Sequence, residues 1–506
     1  MSMHLTTSAF RLRAGAVALL LAVMTAAAPL RAQRAPLASG VLATSQSREG
    51  LSRGLTLDAV IDLAEARSEQ IAIAQFGVAR AAAGEQRARS ERLPQVAGAA
   101  SYDRTIRSEF SGIFSGSSAD GGFGSADLSQ LPFGQPNAFR LNLAFSQALY
   151  AGGRIAAQQQ LAVVGRSVAD SSLRSARAQL VLDATQAFYD AALTDRLVAI
   201  AEASLQQAEA IVAQVELAYK AGRSPEFEWL RARVTRDNQR PNVIRARANR
   251  TLAYLRLKQL LEIPSAQPLT VDAELDDPTL APPARFAGQL AQVKAAPAAQ
   301  TAAGRVPVQQ AASAVRAREA TVRIAKSQRL PYVSFNSAFG EVAYAAAPGF
   351  DDWRTNWTVG ASMQIPLFTG GRLKAEEASA GADLGEARAR QKLAVEIAEA
   401  ETEAVLAVLD AAVAAWQASA GTVEQATRAY EIADLRYREG ISTQLELLDA
   451  RLVQQLAQVN RAQAARDVQV ARARVSLLPD LPLGGAAIDA ANSRSSSETG
   501  SGGGIR

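Results

Sequence analysis

Glu446 and Asp449 lie three residues apart in a stretch free of proline and glycine. On a helix that spacing puts both carboxylates on one face. Two charges so placed could draw cations, or could simply form the solvated side of a helix. Little other chemistry is on offer. The 506-residue chain has no cysteine and a single histidine, His4. The commonest general base, the thiol nucleophiles and most zinc sites are therefore missing. The other carboxylate pairs, Asp276-Asp277 and Asp351-Asp352, fall in loop-like sequence without a candidate partner. The pairs Gly152-Gly153 and Gly370-Gly371 lack the surroundings of a phosphate loop. They suit a sharp strand-to-helix hinge, because glycine accepts backbone geometry that other residues avoid. No feature supports an enzyme, and no metal or cofactor is expected.

Net charge adds little. Residues 1–32 carry Arg11 and Arg13, then the apolar run 14–28, then Leu30-Arg31-Ala32. That pattern predicts a secretory signal peptide. Without it the formal charge falls from +5 to +2. No basic stripe and no nucleic-acid partner follow from so small an excess. Residues 33–53 are polar and small, and are expected to be flexible.

The elements that must position these residues occur twice. Arg92-Leu93-Pro94 returns as Arg329-Leu330-Pro331. Leu149-Tyr150-Ala151-Gly152-Gly153-Arg154 returns as Leu367-Phe368-Thr369-Gly370-Gly371-Arg372, and Tyr219-Lys220-Ala221-Gly222 as Tyr437-Arg438-Glu439-Gly440. The last two landmarks recur at one common offset, and the first at a larger one. The halves therefore differ in length between the first landmark and the second. A unit this long is a duplicated half-protein rather than a solenoid repeat. The first half spans 54–263 and the second 304–478. Between them 264–303 is rich in proline and alanine and predicts an irregular linker with short elements. A C-terminal extension, 479–506, ends in a Ser/Gly-rich tail expected to be disordered.

Thr56 can cap a helix running to about Ser90, and a matching helix is expected over 305–328. Four period-two segments then predict strands at 95–108, 137–150, 331–345 and 355–367. Of the 28 aromatic residues, 16 lie within 93–150 and 330–368, under a fifth of the chain. The connection 110–136 is much longer than its counterpart at 346–354. After each Gly-Gly-Arg comes a proline-free helical pattern, Arg154–Tyr219 and Arg372–Tyr437. Each would extend about 100 Å. Return helices are expected at 226–262 and 442–478, with Pro241 kinking or opening the first. Helices of this length need partners side by side, as in a coiled coil.

Four amphipathic strands cannot close a membrane barrel, which needs at least eight so that no backbone edge meets lipid. Two copies would supply eight strands and three would supply twelve. In the last strand Trp357, Val359, Ala361, Met363 and Ile365 would face lipid, and Thr358, Ser362 and Gln364 the lumen. A soluble sheet carrying helices is the alternative that periodicity leaves open.

The duplicated order of helix, Leu-Pro, two strands, Gly-Gly-Arg, long helix, glycine turn and return helix resembles the TolC family of outer-membrane efflux proteins. The likeness runs from about Thr56 to Leu478. It implies a mostly α fold with a small β part: a homotrimer whose twelve strands form a transmembrane barrel in outer-membrane lipid, continuing into a periplasmic α-helical coiled-coil barrel. It implies a passive exit duct for efflux or type I secretion, docked to a periplasmic adaptor (a membrane fusion protein) and an inner-membrane pump of RND, ABC or MFS type. The turns Gly222-Arg223-Ser224 and Gly440-Ile441-Ser442-Thr443 resemble the family's adaptor-contacting turns, though each glycine also serves as a helix stop. Glu446 and Asp449 resemble its acidic entrance rings, which in a trimer would favour cations. Tyr437 and Glu228 resemble members of its gate network. Ser442 stands where some members have arginine, so the same closing salt bridge cannot form. Arg223 or Arg231 could substitute, and Arg231 could equally pair with Glu228. A soluble periplasmic coiled-coil scaffold or adaptor is the reading from another class.

Overall fold

The computed structural model describes residues 54–107, 137–273, 275, 277, 279–344 and 353–484. The expected signal peptide, the segment 33–53, the loop 110–136, most of the loop 346–354 with Asp351-Asp352, Asp276 and the tail lie outside these residues. The chain divides into two compact units. In the smaller one Leu55 bridges Val271 in parallel, and its N–H donates to Thr270 O at 2.8 Å. The larger unit holds all the elements named below.

Its first half runs α1 (Leu57–Arg67), α2 (Glu69–Ser90), β1 (Gln95–Arg104), β2 (Asn137–Tyr150), α3 (Arg154–Lys220) and α4 (Glu226–Leu260). The linker contributes α5 (Ala284–Ala295) and α6 (Ala298–Gly304). The second half follows with α7 (Val306–Ser327), β3 (Tyr332–Ala343), β4 (Arg354–Gln364), α8 (Arg372–Arg438) and α9 (Gln444–Leu477). The sequence offsets survive in three dimensions. Both ends of α7 follow those of α2 by the offset of the Arg-Leu-Pro landmarks. Both ends of α8 follow those of α3 by the smaller offset of the Gly-Gly landmarks.

One expectation needs correction. The helix from Thr56 to Ser90 is in fact two. Ser68 interrupts it with an extended ψ of 117°, and its hydroxyl accepts the Ile71 N–H at 3.4 Å. A serine satisfies the orphan donors of a new helix as readily as it continues an old one. Further on, α4 continues through Pro241 as one element, so of the two outcomes expected there the chain does not break. Pro241 is exposed, so water can satisfy the carbonyl left without its N–H partner.

The strands form one antiparallel sheet in the order β1-β2-β3-β4. Register sorts most of the large apolar side chains to one face, which also carries Ser337 and Glu341, because opposite residues share a face. Val96, Ala100, Leu141, Leu143, Phe145, Phe335, Phe339, Trp357, Val359 and Met363 fall on one face. Phe145 meets Phe335 edge-on at 5.7 Å, and Phe339 meets Trp357 at 6.4 Å. The other face carries Ser101, Asn142, Ser146, Ser334, Asn336, Thr358 and Ser362. There the hydroxyls of Ser334 and Ser362 are 2.8 Å apart. The face split in β4 matches the one read from its sequence.

Each strand pair passes into a long helix through its Gly-Gly hinge. All four glycines take positive φ, from 58° at Gly152 to 87° at Gly371, which side chains with a Cβ resist. α3 lies along α2 and α4, and also along α7 and α9 of the other half; α8 lies along α7 and α9. Around the linker Leu290 and Val293 of α5 join Leu409, Val475 and Leu478 in an apolar cluster. Arg305 is fully buried, pairs with Glu401 at 3.0 Å, and donates to Ala398 O at 3.4 Å. Arg474 approaches the same carboxylate at 3.9 Å.

Candidate functional site at the turn ends of the long helices

The two hairpin turns are built alike. α3 and α8 each end on a glycine in the left-handed region, Gly222 at φ 71° and Gly440 at φ 70°. The Arg223 N–H reaches back to Ala218 O at 2.8 Å, and the Ile441 N–H to Arg436 O at 2.9 Å. These bonds satisfy carbonyls that the ending helix leaves free. Thr443 then caps α9 by accepting the Glu446 N–H at 3.3 Å.

Behind the turns Ile211, Val212, Val215, Ala232 and Leu447 form a buried cluster, with Trp229, Tyr430 and Tyr437 packed against it. Trp229 stacks on Tyr219 at 5.5 Å and nearly parallel, tying α4 to α3. The Arg233 guanidinium lies 4.9 Å from the Trp229 ring. Aromatic contacts of this kind give the turn end a rigid apolar floor.

Glu228 and Tyr437 come from different halves of the chain and meet here. Burial pushes the Tyr437 hydroxyl above its usual pKa, and the nearby Glu228 charge pushes the same way. Glu228 accepts the Ser224 hydroxyl at 2.7 Å. Among the described residues neither Arg223 nor Arg231 forms an ion pair with it, so the partner of Glu228 is a hydroxyl, not a guanidinium. Ser442 is near but separate: its Oγ is buried and has no hydrogen-bond partner. The Gln444 amide is buried in the same condition.

Glu446 and Asp449 are on one face of α9, as their spacing requires, and Glu446 is exposed. The opposite face buries Gln444, Leu447, Arg451 and Gln454. Arg451 is the residue that sequence reasoning overlooked. It is 4% exposed, and its Nη1 reaches Ser204 O on α3 at 3.4 Å. Burial lowers its pKa, with Tyr430 opposing that shift. The clue is present in the sequence: an arginine stands four residues after Leu447, in the row that packs inward.

Asp277, one of the carboxylates weighed for catalysis, is occupied structurally. It accepts the Thr279 N–H and hydroxyl, both at 2.8 Å. The backbone N–H bond is the main reason its pKa is lowered. Among the described residues no group of three or more acidic or histidine side chains could hold a metal ion.

Comparison with known proteins agrees in both sequence and structure. The family described as Outer membrane efflux protein matches residues 60–262 and 298–481. The pyoverdine export outer membrane protein OpmQ of Pseudomonas putida is 26% identical over 426 residues, covering 83% of this chain and 84% of OpmQ. Nodulation protein T of Rhizobium leguminosarum bv. viciae is 23% identical over 71% of this chain and 73% of its own length. The crystal structure of the outer membrane protein VceC of Vibrio cholerae superposes with a TM-score of 0.67 at 21% identity, covering 84% of this chain and 96% of VceC. The outer membrane channel CmeC of Campylobacter jejuni gives 0.66 at 17% identity, covering 86% of this chain and 88% of CmeC.

Proposed function

The chain belongs to the outer membrane efflux protein family, and from that premise we propose that it forms the trimeric exit duct of a tripartite efflux system. Three copies supply twelve strands, enough to close a barrel in outer-membrane lipid. The long helices then wall a periplasmic tunnel. Transport through it is passive, with energy supplied by an inner-membrane pump of RND, ABC or MFS type. A periplasmic adaptor docks at the turns Gly222-Arg223-Ser224 and Gly440-Ile441-Ser442-Thr443. Glu446 and Asp449 form the acidic ring at the entrance. The family description and a relative named for pyoverdine export favour efflux over type I secretion.

One observation carries this reading. The sheet has one face that gathers most of its large apolar side chains, and two strands, β1 and β4, that are exposed along their whole length. In lipid such edges are untenable unless other strands pair with them. The helices support it too. α8 is apolar enough in one stretch to cross a membrane, yet only 17% of that stretch is buried within the protomer. A wall helix awaiting neighbours has this character.

Gate closure is assigned to the group around Glu228 and Tyr437, with Ser224 in place of an arginine. Arg223 and Ser442 flank this group without joining it. Outer membranes isolated from cells and washed with high salt should retain the protein as a detergent-resistant trimer. Release of the protein by the salt wash would overturn the assignment and favour the scaffold.

A further inference from the structure

Each junction between the sheet and a long helix holds a cavity, and the two cavities are copies of one another. The first, of about 520 Å³, lies where α2, β1, β2, α3 and β3 meet. The second, of about 430 Å³, lies where the end of α7 meets β3, the end of β4 and α8. The halves map onto each other by the larger offset before the loop and the smaller one after it. That mapping carries Ser90, Glu91, Leu93 and Arg154 of the first cavity onto Ser327, Gln328, Leu330 and Arg372 of the second. Arg154 and Tyr332 line both and so form the partition between them. The Arg154 guanidinium lies 5.4 Å from the centre of the Tyr332 ring. The strand residues that reach the cavities, among them Ser146, Ser334, Asn336 and Gln364, belong to the polar face of the sheet.

The copies differ in charge. In the second half Arg372 is paired with Glu376 at 2.6 Å, and Arg329 with Glu377 at 2.8 Å. In the first half both carboxylates are replaced by amides, Gln158 and Gln159. Gln159 turns away and donates to Ala88 O at 3.4 Å. The Oε1 of Gln158 is buried and has no hydrogen-bond partner. Among the described residues neither Arg154 nor Arg92, the counterpart of Arg329, has an ion pair. Arg87, whose counterpart is Ile324, brings a second unpaired guanidinium to the first cavity. Glu91 is the only carboxylate among its lining residues, and it too forms no ion pair. The first cavity therefore carries an excess of positive charge. The arginine of the second is neutralised by its own helix.

We propose that the first cavity binds an oxyanion, a carboxylate or a phosphate, carried by a solute inside the duct. This rests on the reading of the chain as an outer-membrane duct, in which the polar face of the sheet lines the lumen. Arg154 is the anchor. Its guanidinium presents a fork of N–H donors that no protein carboxylate occupies, and an oxyanion takes a pair of them side by side. The Tyr332 ring steadies the guanidinium from one side. Arg87 adds charge, and Gln158 Oε1 remains as an acceptor for an N–H or O–H of the same ligand. A site here concentrates anionic cargo where the helices give way to the strands. The second cavity is a control that the duplication supplies, with the same surroundings and an arginine already engaged.

Isothermal titration calorimetry on the full chain in detergent, with citrate as the probe, tests the assignment. The expected result is one binding event per chain, weakened by added salt. Gln158→Glu rebuilds the ion pair of the second cavity in the first and should weaken citrate binding about tenfold. Arg154→Gln should weaken it about as much. Arg372→Gln should change it less than about twofold, because that guanidinium is already paired. Short-chain phosphatidylglycerol offers the same chemistry from a lipid, and it should bind the parent and Gln158→Glu alike. Light scattering on each sample reports assembly independently. Trimers that bind no citrate, that respond equally to Arg154→Gln and Arg372→Gln, or that prefer the lipid in a manner abolished by Gln158→Glu would overturn the site and leave the duct standing. Monomers in the parent and in every variant would overturn the duct itself.

Discussion

On the proposed function, Glu446 and Asp449 would be the residues through which an entrance acts on its cargo. They lie on one face of α9, opposite the row that packs inward. Replacing both by alanine removes six charges from a trimer's entrance. The expected outcome in planar-bilayer recordings is a larger anion contribution to conductance and weaker block by divalent cations. Unchanged selectivity and block would take these two residues out of the role. Gly370 offers a second test at this scale. Gly370→Ala and Gly371→Ala both force a Cβ into positive φ, at 59° and 87°. The counterpart of Gly370 is crowded by Leu330 and the counterpart of Gly371 has open space. Gly370→Ala should therefore lower the temperature at which trimers dissociate in detergent clearly more than Gly371→Ala does. Equal effects would mean that Gly370 keeps its open surroundings in the assembled protein.

The elements are largely legible in the sequence, because their signals are local. Period-two alternation locates the strands, and freedom from proline locates α3 and α8. The Gly-Gly pairs mark the hinges. Ser68 is deceptive because a capping serine inside an apolar helical pattern looks like any exposed helix residue. Arg451 escapes because only the packing of α9 on α3 makes it a buried cation. The knot of Arg305 and Glu401 is illegible for another reason: its members are far apart in the chain and nothing local links them. This knot ties the linker to the long helices. Glu401→Ala would leave Arg305 buried with its main partner gone, a loss of about 3–5 kcal/mol. The exposed pair of Lys392 and Glu396, at 3.9 Å, should matter little: Glu396→Ala is expected to cost below about 1 kcal/mol. Denaturant midpoints of the two variants compare them directly, and equal midpoints would contradict the structural role of the knot.

Tyr189 of α3 gives the same layer a pH signature. Burial pushes its hydroxyl up to about 12, with Arg472 opposing and Asp58 adding. A folded-state pKa above the unfolded value of 10.0 means stability that is complete below that pH and is lost as pH rises toward 12. The loss from this group is about 2–3 kcal/mol. Tyr189→Phe keeps the ring and removes the proton, so its stability should fall less between pH 10 and 12. Parallel alkaline unfolding curves for the two proteins would show that this hydroxyl is not the group responsible.

At the scale of the whole molecule, the proposed duct makes one chain a third of a ring that only further copies complete. Each half packs its return helix against its own long helix, and offers its remaining surface to the half that follows. Inside the chain the second half accepts the first. The offer made by α8 and β4 has no taker until another copy arrives. On the proposed function, the tunnel, the barrel and the entrance ring would all follow from that unfilled surface. Electron microscopy of the detergent-purified protein tests this most directly. The account predicts a threefold-symmetric particle with an open bore, twelve strands at one end and helices of about 100 Å beyond them. A well-folded particle containing a single chain, with no bore and with β1 and β4 facing solvent, would contradict it.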